Sequence, residues 1–325
     1  MNTGNEKKPP DLHQAVLHCG TDNACPPRQH VAALVVTYFP DYKKLACLLA
    51  ALRGTVQSIL VFNNGSDNAA HRIFMEAYAD DPAYTFYEAT HNLGVAKALN
   101  QGIRYLEELG YAYCWTFDQD SLPEKDAYRH LMDAISTENN STLPIAAVVP
   151  SVFNRCESTP IPFLVPQNDG KLAAEIVEKT GEVIAGITSG MLVNISIWQS
   201  LGGACEGFFI DHVDTEWCFR AKARGFRILA VPEAKLQHEL GSPSGGKSYL
   251  RNGRPLALRP PIRTYYMLRN GWAISRMSYA PKGWCQYNNN QGLKIILVAL
   301  IYGPSRMEQI AAIIRARRSI DEALI

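Results

Sequence analysis

Short apolar runs alternate with amphipathic stretches in the first third of the chain. The runs are rich in β-branched and aromatic residues, which is typical of buried strands. They span 31–39, 58–68, 84–89 and 112–117. The stretches between them, at 41–54, 67–80 and 94–110, carry apolar side chains at helical spacing. The order β-α-β-α-β-α-β predicts the α/β class, with a mostly parallel, doubly wound sheet.

The pattern becomes mixed after Pro123. It predicts a strand at 145–153, a loop-rich insertion at 155–181, and strand, turn, strand and helix within 183–203. A helix over 212–226 and a strand at 227–232 follow. Beyond them, 293–303 is apolar but too short to cross a bilayer, and 307–320 is amphipathic with a basic end. We therefore expect a flexible leader (1–29), an α/β domain (30–240) and a helical, basic C-terminal extension (241–325).

Composition excludes several classes of protein. Hydrophobic residues make up 47% of the chain and the net charge is +1, which excludes global disorder. Because the polar N-terminus has no apolar core and no run of 18 apolar residues occurs, we expect neither a secretory signal nor a spanning helix. Eight cysteines without a CxxC pair indicate reduced thiols in a cytosolic protein rather than a zinc site.

Positive charge is concentrated near the C-terminus. The stretch from Leu240 to Met307 contains ten lysines and arginines and no acidic residue. Such a segment usually faces an anion, either a phosphate, a nucleic acid or an acidic membrane surface. Nucleic acid is not expected, because no known reader motif accompanies the charge.

Polar clusters follow each of the four predicted parallel strands. In open α/β sheets, ligands bind at the carboxyl ends of the strands, so these clusters mark one binding edge. They are Thr37-Tyr38, Asn63-Asn64-Gly65-Ser66, His91-Asn92 and Asp118-Gln119-Asp120. Their coincidence with the strand ends is the strongest physical signal in the sequence.

Two of these clusters have structural alternatives. Asp118 and Asp120 are hard oxygen ligands suited to Mg²⁺ or Mn²⁺, but Asp120 or Ser121 would also serve as a helix N-cap. Asn63 and Asn64 fit a loop that binds a base or ribose, and equally a β-turn followed by a cap.

Two helix starts carry charged candidates. Lys97 lies one turn into the helix that Gly94 opens, and helix N-termini attract anions; a plain cap with a solvated lysine is the alternative. Asp211 and Asp214 lie at the start of the helix at 212–226, where either is a candidate general base. The alternative there is an acidic first turn that complements the helix dipole.

The motifs in this order resemble those of family 2 glycosyltransferases with the type-A nucleotide-sugar fold. The similar stretches are VVTYFP, VFNNGSDN, HNLGVAKALNQGI, FDQDS and FFIDHVDTEWCFRAKARGFRILAVPEAKLQH. The resemblance runs from Val31 to about His238. The forms F-x-D-x-V-D-x-E-W and D-Q-D are most similar to the bacterial rhamnosyltransferase branch, which builds surface polysaccharides from dTDP-L-rhamnose.

The resemblance implies a role for each matching residue. Thr37, Tyr38, Asn63, Asn64, Asn92, Lys97 and Asp118 would bind the nucleotide sugar; Asp120, Asp118 and His238 would hold the metal. Asp214 would be the catalytic base. Asn63 stands where the family usually has Asp, which leaves the identity of the base open. Val213 replaces the Glu of the family's E-D motif, which leaves Asp211 as a rival base.

The implied activity is metal-dependent inverting transfer of a sugar, L-rhamnose from dTDP-L-rhamnose, to a hydroxyl of a lipid-linked surface polysaccharide such as O-antigen. Mg²⁺ or Mn²⁺ would be the cofactor. Two other functions stay open: a sugar-1-phosphate nucleotidyltransferase, although TYFPDYKKL lacks its Gly-rich loop, and a non-catalytic partner in a polysaccharide assembly complex.

The C-terminal region has three interpretations. Its basic and aromatic residues would hold a diphosphate-lipid acceptor near an anionic membrane, with Leu293–Ile301 and Ile310–Ile314 in the interface. A helical cap on the domain and a homodimer contact fit the pattern equally well. The first interpretation places the protein in the cytoplasm, peripheral on the inner face of the membrane.

Overall fold

A nine-stranded sheet forms the centre of the molecule in the computed structural model, which describes residues 30–138, 142–154, 159–239 and 258–324. The predicted leader lies outside these residues, as do Lys247, Arg251 and Arg254 of the basic segment. The strands are β1 Val31–Thr37, β2 Ser58–Asn63, β3 Tyr84–Glu88, β4 Tyr113–Asp118, β5 Leu122–Pro123, β6 Ile145–Asn154, β7 Phe163–Pro166, β8 Leu172–Glu175, β9 Gly181–Glu182, β10 Leu192–Asn194 and β11 Arg227–His238. β7 and β8 form a separate hairpin.

The helices flank and extend this sheet. They are α1 Tyr42–Leu52, α2 Ala69–Tyr78, α3 Val95–Glu108, α4 Ala127–Glu138, α5 Ile195–Ser200, α6 Val213–Ala223, α7 Pro261–Ile274, α8 Trp284–Tyr302 and α9 Arg306–Arg318. Short 3-10 helices lie at Glu206–Phe208 and Asp321–Leu324. Within the described residues, no helix is both long enough and apolar enough to cross a membrane.

The strand order is β3-β2-β1-β4-β10-β6-β11-β5, with β9 also paired to β11. β1 to β4 pair in parallel, and β6 pairs in parallel with β11. β10 runs antiparallel between β4 and β6, and short β5 and β9 run antiparallel to β11. The predicted mostly parallel sheet is confirmed, and its antiparallel members are the short strands.

Apolar residues pack on both faces of the sheet, as a doubly wound arrangement requires. Leu45, Leu48 and Leu49 of α1 pack on one face together with Leu131 of α4. α3, α5 and α6 cover the other face, where Trp198 and Trp217 are almost fully buried. Within the described residues, helices therefore cover apolar surface on both faces of the sheet.

The structure differs from the sequence pattern in the second half of the sheet. β11 continues to His238 instead of ending near residue 232, because its pairing with β6 shifts between Val231 and Lys235. This bulge accommodates Pro232, which otherwise signals the end of a strand. In 183–203 the first predicted strand is absent, and 155–181 contains the β7-β8 hairpin. The bulge matters most, because it carries His238 to the binding edge.

Three helices form the described part of the C-terminal extension. α7 packs against α9, where Tyr265 and Leu268 contact Ala312 and Ala316. The helical extension is confirmed, but α7 is not apparent in the sequence pattern, because buried residues surround it on more than one side. They include the polar residues Thr264, Arg269 and Asn270.

The start of α3 is packed too tightly for a side chain at Gly94. Gly94 has a φ of 81°, and a Cβ there would lie 2.5 Å from the Phe209 ring and 2.7 Å from its carbonyl oxygen. Gly110, at the other end of α3, has a φ of 82° with nothing within 4 Å of its Cβ position. Both glycines have a positive φ, but Gly94 also has a ψ of 162°, a region that essentially only glycine adopts, so both its backbone conformation and its contact with Phe209 disfavour a side chain.

We expect Gly94→Ala to lower the free energy of unfolding by at least about 2 kcal/mol more than Gly110→Ala, which should cost about 1–2 kcal/mol in backbone strain. Urea denaturation of the two variants measures this difference. Equal destabilisation would show that α3 does not pack against Phe209 in this way.

Candidate active site

The carboxyl ends of β1, β2 and β4 lie side by side. Thr37 pairs with Asn63, and Val36 pairs with Asp118. The Tyr38 N–H donates to Gln119 Oε1 at 2.7 Å, which ties the loop after β1 to the loop after β4. The structure thus brings the predicted polar clusters to one edge. Thr37 itself is buried, whereas Tyr38 keeps 46% of its surface exposed.

Two carboxylates and an imidazole meet at this edge. His238 Nδ1 lies 3.3 Å from Asp120 Oδ1, and His238 Nε2 lies 3.8 Å from Asp118 Oδ2. His238 lies 118 positions from Asp120 and 120 positions from Asp118 in the chain, and it meets them because β11 continues past its bulge. A protonated imidazole between two carboxylates offsets the repulsion between their negative charges.

Two buried serines, Ser121 and Ser189, form hydrogen bonds with this group. Ser121 Oγ hydrogen-bonds His238 Nδ1 at 3.0 Å and also contacts Ser189 Oγ closely. The Asp118 N–H donates to Ser189 Oγ at 3.3 Å. Since α4 begins only at Ala127, neither Asp120 nor Ser121 caps it, so that structural alternative does not occur.

Burial and neighbouring charges shift the pKa values of Asp118 and His238. Desolvation in the cleft raises the pKa of Asp118, and the charge of Asp120 raises it further, while His238 and Arg263 oppose the shift. Burial alone would lower the pKa of His238, but its hydrogen bond to Asp120 and the charges of both aspartates raise it overall. The site therefore favours positive charge between its carboxylates.

These residues fit a divalent cation by their chemistry. Two carboxylates and a histidine are ligands that Mg²⁺ and Mn²⁺ accept, and added positive charge would relieve the two aspartates. Among the described residues, no group of three or more histidine, cysteine or acidic side chains is already arranged to coordinate a metal. The predicted roles of Asp118, Asp120 and His238 as metal ligands stay predictions.

The loop after β2 is held by its own amides. The Asn63 side chain accepts from the Ser66 N–H at 2.9 Å and donates to the Ser66 carbonyl at 2.8 Å and to Glu88 at 2.6 Å. Its amide also lies 3.0 Å from His71 Nε2. Asn63 is thus buried, and its side chain is hydrogen-bonded to other protein groups, so it stabilises the shape of the loop. Its predicted contact with a nucleobase stays a prediction.

A second pair of amides joins β2 to the start of α3. Asn64 Nδ2 donates to Asn92 Oδ1 at 3.1 Å, and the Leu93 N–H donates to Asn64 Oδ1 at 2.8 Å. Gly65, with a φ of 90°, lets the two loops touch, because a Cβ there would lie 2.4 Å from the His91 carbonyl carbon. Asn64 and Asn92 therefore lie together, as predicted from the strand ends.

The N-terminus of α3 is already occupied by a protein group. The Phe209 carbonyl accepts from the Val95 N–H at 2.6 Å and more weakly from the Ala96 N–H at 3.4 Å. Lys97 lies 3.9 Å from Glu206 and keeps 44% of its side chain exposed. The helix start thus anchors the loop around Phe209, and the nucleotide contact predicted for Lys97 stays a prediction.

The two rival bases have different surroundings. Asp211 is held by Arg263, whose Nε and terminal nitrogen donate to its two oxygens at 2.8 and 2.6 Å. Asp214 accepts from the Thr188 N–H at 3.2 Å and the Thr215 N–H at 2.7 Å, and burial raises its pKa. Of these two aspartates, Asp211 has a cation in direct ion-pair contact and Asp214 has none among the described residues; which of them acts as the base stays a prediction.

Helix α7 fixes the loop that precedes these acids. Phe209, Asp211 and His212 all have positive φ, a conformation that costs free energy in non-glycine residues. The buried Asn270 amide donates to the carbonyls of Phe208, Ile210 and Asp211 at 3.0, 2.8 and 2.8 Å. These three hydrogen bonds compensate for the strain and hold the segment in one shape.

A cavity of about 250 Å³ opens beside Asp214. His212, Asp214 and Thr215 form one wall. Apolar residues of β6, the β7 region and the segment before Thr188 form much of the rest, together with Trp284 and Tyr287 of α8.

The sequence did not reveal several residues that shape the site. Arg263 and Asn270 lie more than fifty positions from the loop they contact, and Ser189 lies in a stretch predicted as a turn between strands. Arg263 had one signal, its place in the acid-free basic segment. The others carry no local signal, because their partners are distant in the chain.

Comparison with known proteins identifies related sequences. The sequence model of Glycosyl transferase family 2 matches residues 34–183. The dTDP-rhamnosyl transferase RfbF of Shigella flexneri is 30% identical over 257 residues, covering 78% of this chain and 82% of that protein. The low-salt glycan biosynthesis hexosyltransferase Agl10 of Haloferax volcanii is 21% identical over 224 residues, covering 65% and 69%.

Solved structures share the fold at low identity. TarS 1–349 of S. aureus superposes with a TM-score of 0.53 and 12% identity, covering 90% of this chain and 80% of that chain. GalNAc-T7, solved with UDP, GalNAc and Mn²⁺, gives a TM-score of 0.54 and 11% identity, covering 84% and 57%. The predicted type-A glycosyltransferase fold is confirmed.

We expect Asn270→Ala to lower the free energy of unfolding by about 2–3 kcal/mol, because the partly buried carbonyls of Ile210 and Asp211 lose the Asn270 donor, whereas the Phe208 carbonyl keeps the Ile210 N–H and Arg269. Asn289→Ala, on an exposed position of α8, is the matched control and should change stability by less than about 0.5 kcal/mol. Urea denaturation compares the two. Similar midpoints for both variants would contradict the role of Asn270 in holding the loop.

Proposed function

The chain belongs to glycosyl transferase family 2, and on that premise we propose that it moves L-rhamnose from dTDP-L-rhamnose to a hydroxyl of a lipid-linked surface polysaccharide such as O-antigen. The observation that carries the proposal is the convergence of Asp118, Asp120 and His238 at the carboxyl ends of the parallel strands. The donor is proposed from the related dTDP-rhamnosyl transferase.

The donor's diphosphate is a polyanion, so its departure needs positive charge nearby. Asp118, Asp120 and His238 would hold Mg²⁺ or Mn²⁺, which supplies that charge when bound. Arg263 adds a protein cation: its charge lowers the pKa of Asp118, and its ion pair with Asp211 fixes its orientation. We assign Asp211 to this positioning role rather than to proton transfer.

Asp214 is the proposed general base. An acceptor hydroxyl is a weak nucleophile at neutral pH, and a positioned carboxylate that takes its proton contributes about 10²–10⁴-fold. The acceptor oxygen bonds to the anomeric carbon while the bond from that carbon to the phosphate oxygen breaks. The proton passes to Asp214, and the diphosphate leaves with the bonding electron pair. Attack from the face opposite the leaving group inverts the anomeric centre.

The other polar groups at this edge are proposed to bind the nucleotide and the donor sugar. Tyr38 is exposed and would stack on the base, Asn64 and Asn92 are hydrogen-bonded to each other, and Lys97 would complete the set. Asn63 and Thr37 are buried and would support the binding residues from inside the protein.

Family membership weighs against the alternative function of a sugar-1-phosphate nucleotidyltransferase. Asp214, a candidate base beside a cavity, weighs against the other alternative, a non-catalytic partner.

We further propose that residues 30–240 form the catalytic domain and that the C-terminal region contacts an anionic membrane from the cytoplasmic side. Leu293, Leu297 and Ile301 follow each other at four-residue spacing on α8 and are 49–58% exposed. Lys294 follows Leu293 in the sequence, Arg306 donates to the Ile301 carbonyl at 3.4 Å, and α8 contains no acidic residue. Apolar side chains beside cations complement an anionic lipid surface.

We expect Asp214→Asn to lower kcat about 10²–10⁴-fold with dTDP-L-rhamnose and Mg²⁺, while donor binding measured by calorimetry is retained. Asp133→Asn, an exposed carboxylate on α4, is the control and should keep full turnover. Undiminished turnover in Asp214→Asn would exclude this residue as the base.

The pH profile provides a second test of Asp214. A base must be deprotonated, so kcat/KM should rise with pH through the pKa of Asp214, which burial places above that of an ordinary aspartate. The residual activity of Asp214→Asn should lack this rise. If that variant keeps the same acidic limb, another group carries the titration.

We expect the protein to co-sediment with phosphatidylglycerol vesicles but not with phosphatidylcholine vesicles, and less so at high salt. Leu297→Glu should reduce this binding at least about 10-fold, whereas Leu109→Glu, an exposed leucine at the end of α3, should not. Analytical ultracentrifugation tests the alternative: a dimer that Leu297→Glu dissociates, without vesicle binding, would favour a homodimer contact.

A further inference from the structure

The cavity beside Asp214 has an uneven distribution of polar groups. Among the described lining residues, His212, Asp214 and Thr215 follow closely on one another at the start of α6 and carry polar side chains, and Tyr287 of α8 lines the cavity as well. Apolar residues line much of the remainder: Val149, Pro150, Val152, Phe163, Leu164 and Ile187. The cavity therefore combines a few polar side chains from the start of α6 with a largely apolar lining.

Trp284 adds apolar surface rather than a hydrogen-bond donor. Its indole N–H points to the Gly271 carbonyl at 3.3 Å, and its ring packs edge-on against His212 and Phe219. An aromatic surface of this kind suits C–H groups.

The position of the base decides which substrate enters this cavity. A general base must lie within hydrogen-bond reach of the proton it removes, so the acceptor hydroxyl must approach Asp214. The acceptor ring then extends into the space that Asp214 lines. A fully hydroxylated sugar would bury hydroxyls against Val152 and Leu164 without partners, which is costly. A sugar bearing a methyl group in place of one hydroxyl avoids that loss.

We propose that this cavity is the acceptor subsite and that it selects a deoxyhexose, whose methyl group packs against the wall of Val152, Phe163 and Leu164 while a ring hydroxyl faces Asp214. The inference rests on the proposed function and specifies its acceptor by chemical class. The selecting contact is apolar burial on one side of the ring, combined with proton removal on the other.

Matched methyl glycosides test the selection, because each pair differs only by the hydroxyl on C6: methyl α-L-rhamnoside against methyl α-L-mannoside, and methyl α-L-fucoside against methyl α-L-galactoside. With dTDP-L-rhamnose and Mg²⁺, we expect at least one deoxy sugar to be preferred in kcat/KM by about 10- to 100-fold over its twin, the range that an apolar pocket achieves. Saturation-transfer NMR should show its C6 methyl as the most strongly saturated group.

Leu164→Asn places an amide of similar shape in the apolar wall. We expect it to reduce the deoxy preference at least fivefold, mainly through a higher KM for the deoxy sugar. Leu109→Asn makes the same exchange on the distant surface of α3 and should leave the preference unchanged. Equal kcat/KM within both pairs, an unaltered preference in Leu164→Asn, or no binding of any of the four sugars would overturn the inference.

Donor experiments separate this inference from the proposed function. Binding of dTDP and slow hydrolysis of dTDP-L-rhamnose depend on the carboxylate edge, not on the cavity wall. If both occur and the deoxy preference is absent, the acceptor inference fails and the proposed function stands. If neither occurs, the proposed function fails first, and the inference fails with it.

Discussion

Two carboxylates of like charge, Asp118 and Asp120, meet at the end of one strand, and the structure around them depends on holding them together. The imidazole of His238 lies between them, with each ring nitrogen facing one carboxylate. β11 must continue past its bulge to deliver it, and Ser121 hydrogen-bonds Nδ1 to fix the ring. Because the pKa values of Asp118 and His238 are both raised, the group is a place where added positive charge is favourable.

The C-terminal extension completes this site rather than merely covering it. Asn270 holds a loop with three residues of positive φ, and Arg263 from the same helix binds Asp211, while its charge lowers the pKa of Asp118. The loop leads into Asp214, which lines the cavity, and its Phe209 carbonyl accepts hydrogen bonds from the first N–H groups of α3. Helix α7 therefore links the proposed base, the diphosphate edge and the packing of the parallel sheet in one set of contacts.

Sequence reasoning succeeded where local pattern and position carry the signal. Four parallel strands and three helices between 31 and 118 follow from apolar periodicity, and their carboxyl ends place Asn64, Asn92 and Asp118 at one edge. The sequence pattern did not predict elements that depend on residues distant in the chain. Pro232 indicated the end of β11, although the strand continues beyond it. α7 lacks a single apolar stripe because the polar residues Arg269 and Asn270 are buried and hydrogen-bonded. The pairing of Asp211 with Arg263 has no local signal, so the two candidate bases were indistinguishable.

The central claim is that the carboxylate edge binds a diphosphate together with a divalent cation. Isothermal titration of dTDP into the wild-type protein and Asp120→Asn, each with Mg²⁺ and with a chelator, tests it most directly. The account predicts binding that the chelator weakens at least about 10-fold in the wild-type protein, and weak binding without a magnesium effect in Asp120→Asn. Equal affinity in all four titrations would contradict it.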